Sequence, residues 1–168
     1  MTGRAAILLT LLGSATVLLS TIAAEPVSHF IWNASESVPI GLYRLQPTGN
    51  LFVTQLVAVQ PPEPLATFLA DHRYLARGVP MLKRVLAMPG QTICRDGLAI
   101  TVDNIATGEA RARDSRGRPL PVWQGCRTIA EFVMNWRSAD SFDGRYFGSL
   151  PTSAIIGTAE PLWTGEEG

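Results

Sequence analysis

Hydrophobic positions along the chain fall into one long block followed by a series of short ones. The long block runs from Ala5 to Ala24, twenty residues without a charge and rich in Leu, Ile, Val and Ala. As a helix rising about 1.5 Å per residue it would reach roughly 30 Å, the thickness of a bilayer core. Arg4 precedes it and Glu25 follows it, so the positive-inside rule places the N-terminus in the cytoplasm and everything after Glu25 outside. Small residues at Ala23 and Ala24 keep a second reading open, a signal sequence removed after export. Both readings divide the chain into residues 1–25, a membrane span or signal sequence, and residues 26–168, an exported domain.

The short blocks read mostly as strands. Leu51 to Gln60 is rich in Val, Leu and Phe and is stopped by Pro61 and Pro62, which predicts a buried strand. From Pro64 to Ala76, Leu65, Phe68, Leu69, His72 and Leu75 recur at helical spacing before Gly78, which predicts a short amphipathic helix. Met81 to Met88 predicts a second strand, closed by Pro89-Gly90, with Met81, Lys83, Val85 and Ala87 on one face and Arg84 on the other. Gln91 to Cys94, a turn at Asp96-Gly97 and Leu98 to Val102 suggest a hairpin. Asp103 to Pro121 is polar and broken by Gly108 and Gly117, which predicts an exposed, mobile excursion. Glu131 to Asn135 and Ala154 to Ala159 predict further strands, with a turn-rich stretch from Asp140 to Pro151 between them. The aromatic segment Ser28 to Trp32 suits a membrane interface. The pattern predicts a mainly β domain with one short helix.

Composition narrows the function classes. Acidic and basic residues balance at fourteen each, and no basic run exceeds a dipeptide, so the electrostatic footprint of a nucleic-acid binder is missing. Cys94 and Cys126 are the only cysteines, too few for an all-cysteine zinc site, and His29 and His72 lack metal-site spacing. Neither a metal nor a cofactor is expected. Outside the cytoplasm the two cysteines would suit a disulfide; inside it, two buried thiols are the alternative.

The candidate chemistry lies in two places. In NASESVPIGLYRL, Asn33 to Leu45, Ser37 precedes Pro39 and Gly41, residues that stiffen a loop and permit a close backbone approach. A serine hydroxyl needs a base to become a nucleophile. Lys83 is the single lysine of the chain, set in an apolar strand, whereas every other basic side chain is an arginine, which cannot give up its proton. Burial disfavours the ammonium form and moves a lysine towards the range useful for a general base. Against this, Ser37 could simply stabilise a turn, Ser35 is a rival nucleophile, and a buried lysine can reach out to solvent. A triad using His29 or His72 lacks a supporting motif.

An N-terminal apolar segment, SVPIGLY with Ser37, LKRVLAMPG with Lys83 and SFDGRYFG with Asp143, in that order, resembles the TraF-like conjugal-transfer peptidases, a branch of the signal peptidase I superfamily of Ser/Lys proteases. The resemblance covers nearly the whole chain. It implies an antiparallel β assembly of the signal peptidase/LexA-like type, with Ser37 as nucleophile, Lys83 as general base and the Ser37 backbone N–H helping to hold the oxyanion. Asp143 falls where the family has an acidic residue, either fixing Lys83 or pairing with Arg145. One residue rather than two separates Ser37 from Pro39, as in the conjugation branch but not the general leader peptidases. Gly144 stands where many relatives carry a serine that bonds the lysine, so that support must come from elsewhere or be absent. The resemblance implies a periplasmic domain at the inner membrane that matures a pilin precursor, in some members joining the new ends into a ring, alongside other proteins of the conjugation apparatus. A general leader peptidase and a non-catalytic component of that apparatus are the competing functions.

Overall fold

The computed structural model describes residues 3–23, 29–129, 133–134 and 138–165. Helix α1 (Gly3–Ala23) takes up the long apolar block. Its Ile7, Leu8, Leu9, Leu11, Leu12 and Val17 side chains are all exposed. The hydroxyls of Thr10, Ser14 and Thr16 donate back to carbonyls three or four residues earlier, so they need no water. The side chains of α1 are described only through residue 17, and among the described residues no helix is long and apolar enough to cross a membrane. Ala24, Glu25 and Ser28 lie outside the described residues, and with them the predicted division of the chain.

After α1 the chain forms β1 (Phe30–Asn33), β2 (Gly41–Gln46), β3 (Leu56–Val59), α2 (Leu65–Asp71), β4 (Met81–Ala87), β5 (Thr92–Asp96), β6 (Ala99–Val102), β7 (Ile105–Glu109), β8 (Gly125–Thr128), β9 (Val133–Met134), α3 (Gly144–Phe147) and β10 (Ile155–Thr164). Six strands build a main sheet in the order β1-β2-β10-β3-β4-β9, and four build an outer sheet in the order β7-β6-β5-β8. Every pairing is antiparallel. The architecture is the mainly antiparallel β assembly expected.

β3 reads as four consecutive apolar residues because both faces of the sheet are covered there. On one face Val57 and Val59 meet Met81 and Val85 of β4, Leu69 of α2, Leu150 and Ile155. On the other, Leu56 and Ala58 meet Leu82, Tyr43 and Val38. Burying a side chain of this size contributes roughly 1.5–3 kcal/mol, so these two clusters hold the main sheet from both faces. α2 ends at Asp71 rather than Ala76, because the chain reverses through Arg73 in a left-handed conformation (φ 54°). Leu75 nevertheless packs on the core.

Several segments depart from the sequence expectation. Residues 51–55 precede β3 without joining it, and Glu131 and Asn135 lie outside the described residues on either side of β9. β1 and β2 flank the Ser37 loop, a second short helix (α3) forms inside the turn-rich stretch, and β10 continues to Thr164. Asp103 to Pro121 is largely exposed, as expected, but it is ordered by contacts that its sequence does not announce. It contains β7, it buries Ala110 and Leu120 against Tyr146, and Asp114 gathers it by accepting from Tyr74, Arg116 and Arg118. Cys94 of β5 and Cys126 of β8 face each other across the outer sheet, and their sulfurs are bonded.

Candidate active site

Asn33, the last residue of β1, shapes the loop that carries Ser37. Its side chain is only 7% exposed. Nδ2 donates to the carbonyls of Ser35 (2.7 Å), Val38 (2.9 Å) and Pro39 (3.0 Å). With two hydrogens for three carbonyls, one bond is shared. Oδ1 accepts from the backbone N–H (3.2 Å) and the hydroxyl (2.9 Å) of Ser35, and the Tyr43 hydroxyl donates to the Pro39 carbonyl at 2.6 Å. Gly41 completes the frame, since a Cβ there would lie 2.1 Å from the Trp163 carbonyl oxygen. The close approach allowed by Gly41 is therefore to the backbone of β10.

Inside this frame Ser37 is half-buried, and its Oγ lies 3.1 Å from that of Ser35. Ser35 directs its own hydrogen to Asn33, so the hydrogen between the two hydroxyls comes from Ser37. The rival serine is exposed and already engaged, while Ser37 is the donor.

Lys83 lies on β4 with its side chain 5% exposed, on the same face as Met81 and Val85. Its Nζ donates to Ser141 Oγ at 2.7 Å. Burial lowers the amine's pKa to about 8; the charge of Asp143 works against that shift and the charge of Arg145 with it. The ammonium form is thereby less favoured than on an exposed lysine.

Asp143 is fully buried and caps α3. Its Oδ1 accepts from the backbone N–H (3.1 Å) and Nε (2.9 Å) of Arg145, and its Oδ2 from Nη2 (2.8 Å). The geometry describes the pairing with Arg145, and Asp143 reaches Lys83 through its field. Arg145 also ties the carbonyls of Ser138 (2.7 Å) and Ser141 (3.0 Å). Ser141, not position 144, supplies the hydroxyl that meets the lysine. Its signal lay in the first letter of SFDGRYFG, two residues ahead of Asp143, whereas Gly144 opens α3 with no side chain to offer.

The structure thus gathers Lys83, Ser141, Asp143 and Arg145 into one buried group. Among the described residues Ser37 and Lys83 hydrogen-bond to Ser35 and Ser141, not to each other. Their chain neighbours Val38 and Leu82 pack together in one core cluster. His72 bonds the Phe68 carbonyl through Nδ1 and stacks on the Phe68 ring, a structural role.

The family described as "Signal peptidase, peptidase S26" matches residues 2–163, a range that holds every residue of this site. This chain belongs to the signal peptidase family, peptidase S26. That makes it a serine peptidase by family. It is 31% identical to a "Probable conjugal transfer protein TraF" of Sinorhizobium fredii, over 92% of this chain and 89% of that protein. It is 33% identical to a "Conjugal transfer protein TraF" of Agrobacterium fabrum, over 79% of this chain and 81% of that one. Among solved structures, a signal peptidase I from Enterococcus faecalis aligns with 14% identity and a TM-score of 0.38, covering 67% of this chain and 98% of that one.

Proposed function

We propose that this S26 peptidase is a membrane-anchored Ser/Lys endopeptidase, with its catalytic domain in the periplasm, that matures a pilin precursor for conjugative plasmid transfer. The observation that carries the reading is the buried Lys83 amine, lowered to a pKa of about 8 and held by a hydroxyl. The plasmid-transfer setting draws on the names of the relatives. The anchor draws on α1, whose described turns expose apolar side chains and satisfy their own hydroxyls, as lipid requires.

In the proposed reaction Ser37 turns from Ser35 towards the neutral Lys83 amine, which takes its proton as Oγ attacks the scissile carbonyl. The backbone N–H of Ser37 stabilises the oxyanion. As the tetrahedral species collapses, the Lys83 ammonium returns the proton to the departing amine, leaving an ester on Ser37. Water, activated by the same lysine, releases the acid. If the substrate's own N-terminal amine reaches the ester first, its high effective molarity closes a ring instead. Contacts between catalytic groups commonly tighten only once substrate is bound, which fits the separate partners of Ser37 and Lys83.

The test is pilin maturation in cells carrying Ser37→Ala or Lys83→Ala. Accumulation of the precursor with the folded domain intact supports the reading, and normal maturation in both variants rejects it. The mass of the mature pilin separates the outcomes, since a ring is one water lighter than the cleaved linear chain.

A further inference from the structure

We propose that Arg95 of the outer sheet is a positioning residue for this reaction, holding α3 and through it the Ser141 loop against Lys83; the proposal rests on the Ser/Lys reading above. Arg95 is 1% exposed, one residue after the disulfide-bonded Cys94 and on the inner face of β5 with Ile93. Its Nη1 donates to the carbonyl of Arg145 at 2.7 Å, and Trp123 Nε1 donates to the same oxygen at 3.1 Å. α3 is a single turn, and the Arg145 carbonyl is one of the acceptors that a helix end leaves without an internal partner. Two donors close it, one from β5 of the outer sheet and one from the stretch that leads into β8.

From that carbonyl the path to the amine is short and continuous. The Arg145 guanidinium grips the carbonyls of Ser138 and Ser141 and both oxygens of Asp143. Ser141 Oγ in turn receives the Lys83 proton donor. β7 and the residues just after it meet the same segment twice more, through the Glu109 carbonyl, which accepts from Arg145 Nη1, and through the Arg111 N–H, which donates to the Tyr146 hydroxyl. Arg95 is not among the charges that shift Lys83, which are those of Asp143 and Arg145. Its influence is mechanical.

Stability alone does not account for a guanidinium at this place. Burial lowers the pKa of Arg95, and its Nη2 has no hydrogen-bond partner among the described residues. An apolar side chain of similar volume would fill this place without burying an unpaired nitrogen. The guanidinium also donates from Nε to the Gly97 carbonyl at 3.1 Å and from Nη1 to the Pro121 carbonyl at 3.5 Å, near its own hairpin; the shorter bond to Arg145 is the one that reaches α3.

The experiment uses the full-length protein in detergent micelles, with a quenched peptide bearing an Ala-X-Ala site as probe. Arg95→Met is expected to stay folded, to keep KM within about twofold and to lose about tenfold in kcat, equivalent to about 1.4 kcal/mol of barrier. The acid limb of its pH profile is expected to move upward by about half a pH unit, because a looser loop readmits water to the Lys83 amine. Arg95→Lys, which keeps one donor for the carbonyl, is expected to recover most of the rate and the wild-type limb. Trp123→Phe, which removes the second donor, is expected to shift both in the same direction as Arg95→Met but less. A folded Arg95→Met with unchanged kcat and limb overturns the proposal, and so does a loss of rate with an unmoved limb, which is what a purely structural residue gives. If Arg95→Met does not fold, wild-type kinetics in both Arg95→Lys and Trp123→Phe overturn it. Activity surviving in Lys83→Ala is a separate result, the failure of the Ser/Lys reading itself.

Discussion

The Lys83 amine donates to the Ser141 hydroxyl across 2.7 Å, joining two residues 58 positions apart. Without that acceptor the amine keeps its burial but loses its aim. Ser141→Ala is expected to lower kcat about a hundredfold with little change in KM, a magnitude typical of a mispositioned acid–base group. Steady-state kinetics on the Ala-X-Ala peptide check it; an unchanged kcat would remove Ser141 from the site.

The pH dependence follows from the same amine. The neutral form is the base, so activity is expected to rise with pH through about 8 and to level off above it. Lys83→Arg is expected to be inactive at every pH, since a guanidinium does not accept the proton. Flat activity between about pH 6 and about pH 10, roughly two units either side of the transition, would contradict the assignment.

Stability also depends on pH, over a higher range and for a different reason. Folding lowers the lysine pKa from 10.5 to about 8, so the unfolded chain holds the proton more tightly than the folded one. Stability therefore rises with pH between about 8 and 10.5, and below about 8 the burial penalty is present in full. That penalty is on the order of 3 kcal/mol. Lys83→Met is accordingly expected to abolish cleavage while raising Tm by about 6–12 °C at neutral pH. Calorimetry on the two proteins decides it, and a lower Tm for the variant would refute the sign.

Asn33 has five bonds within its own loop. Asn33→Ala is expected to cost about 2–3 kcal/mol of stability, because it leaves the buried Val38 carbonyl unpaired, and about a hundredfold in kcat, because Ser37 loses its frame. Denaturant unfolding and kinetics measured on one preparation test both halves.

Reduction of the Cys94–Cys126 bond reopens a loop with a sequence separation of 32. On the chain-entropy account the loss is roughly 4 kcal/mol. The Cys94→Ala, Cys126→Ala double variant is expected to unfold at correspondingly lower denaturant, and non-reducing peptide mapping of the parent should recover the linked pair.

Much of this was legible in the residues, for local reasons. MLKRVLAM announces a buried strand, and a lone lysine within it draws the eye, so β4 and its inward face could be read directly. The hairpin of β5 and β6 is marked by Asp96-Gly97 in the same way. β1 and β8 gave no such signal. FIWN is four residues long, and GCRT is exposed throughout and becomes a strand only by pairing with β5 far back in the chain. Asp114 and buried Leu120 likewise organise the 103–121 segment through contacts with Tyr74 and Tyr146 that no local pattern encodes. Ser141 escaped because a hydroxyl in a turn-rich stretch looks like turn chemistry until its distant partner is seen.

The outer sheet looks from its topology like an appendage, a four-stranded flap inserted between β4 and β9 of the main sheet. Because β5 and the stretch leading into β8 supply the donors that close α3, trimming the flap away to make a smaller peptidase would strip α3 of both. A chimera that grafts this flap from another family member would have to bring the matching 138–147 segment with it, as a single exchangeable cassette.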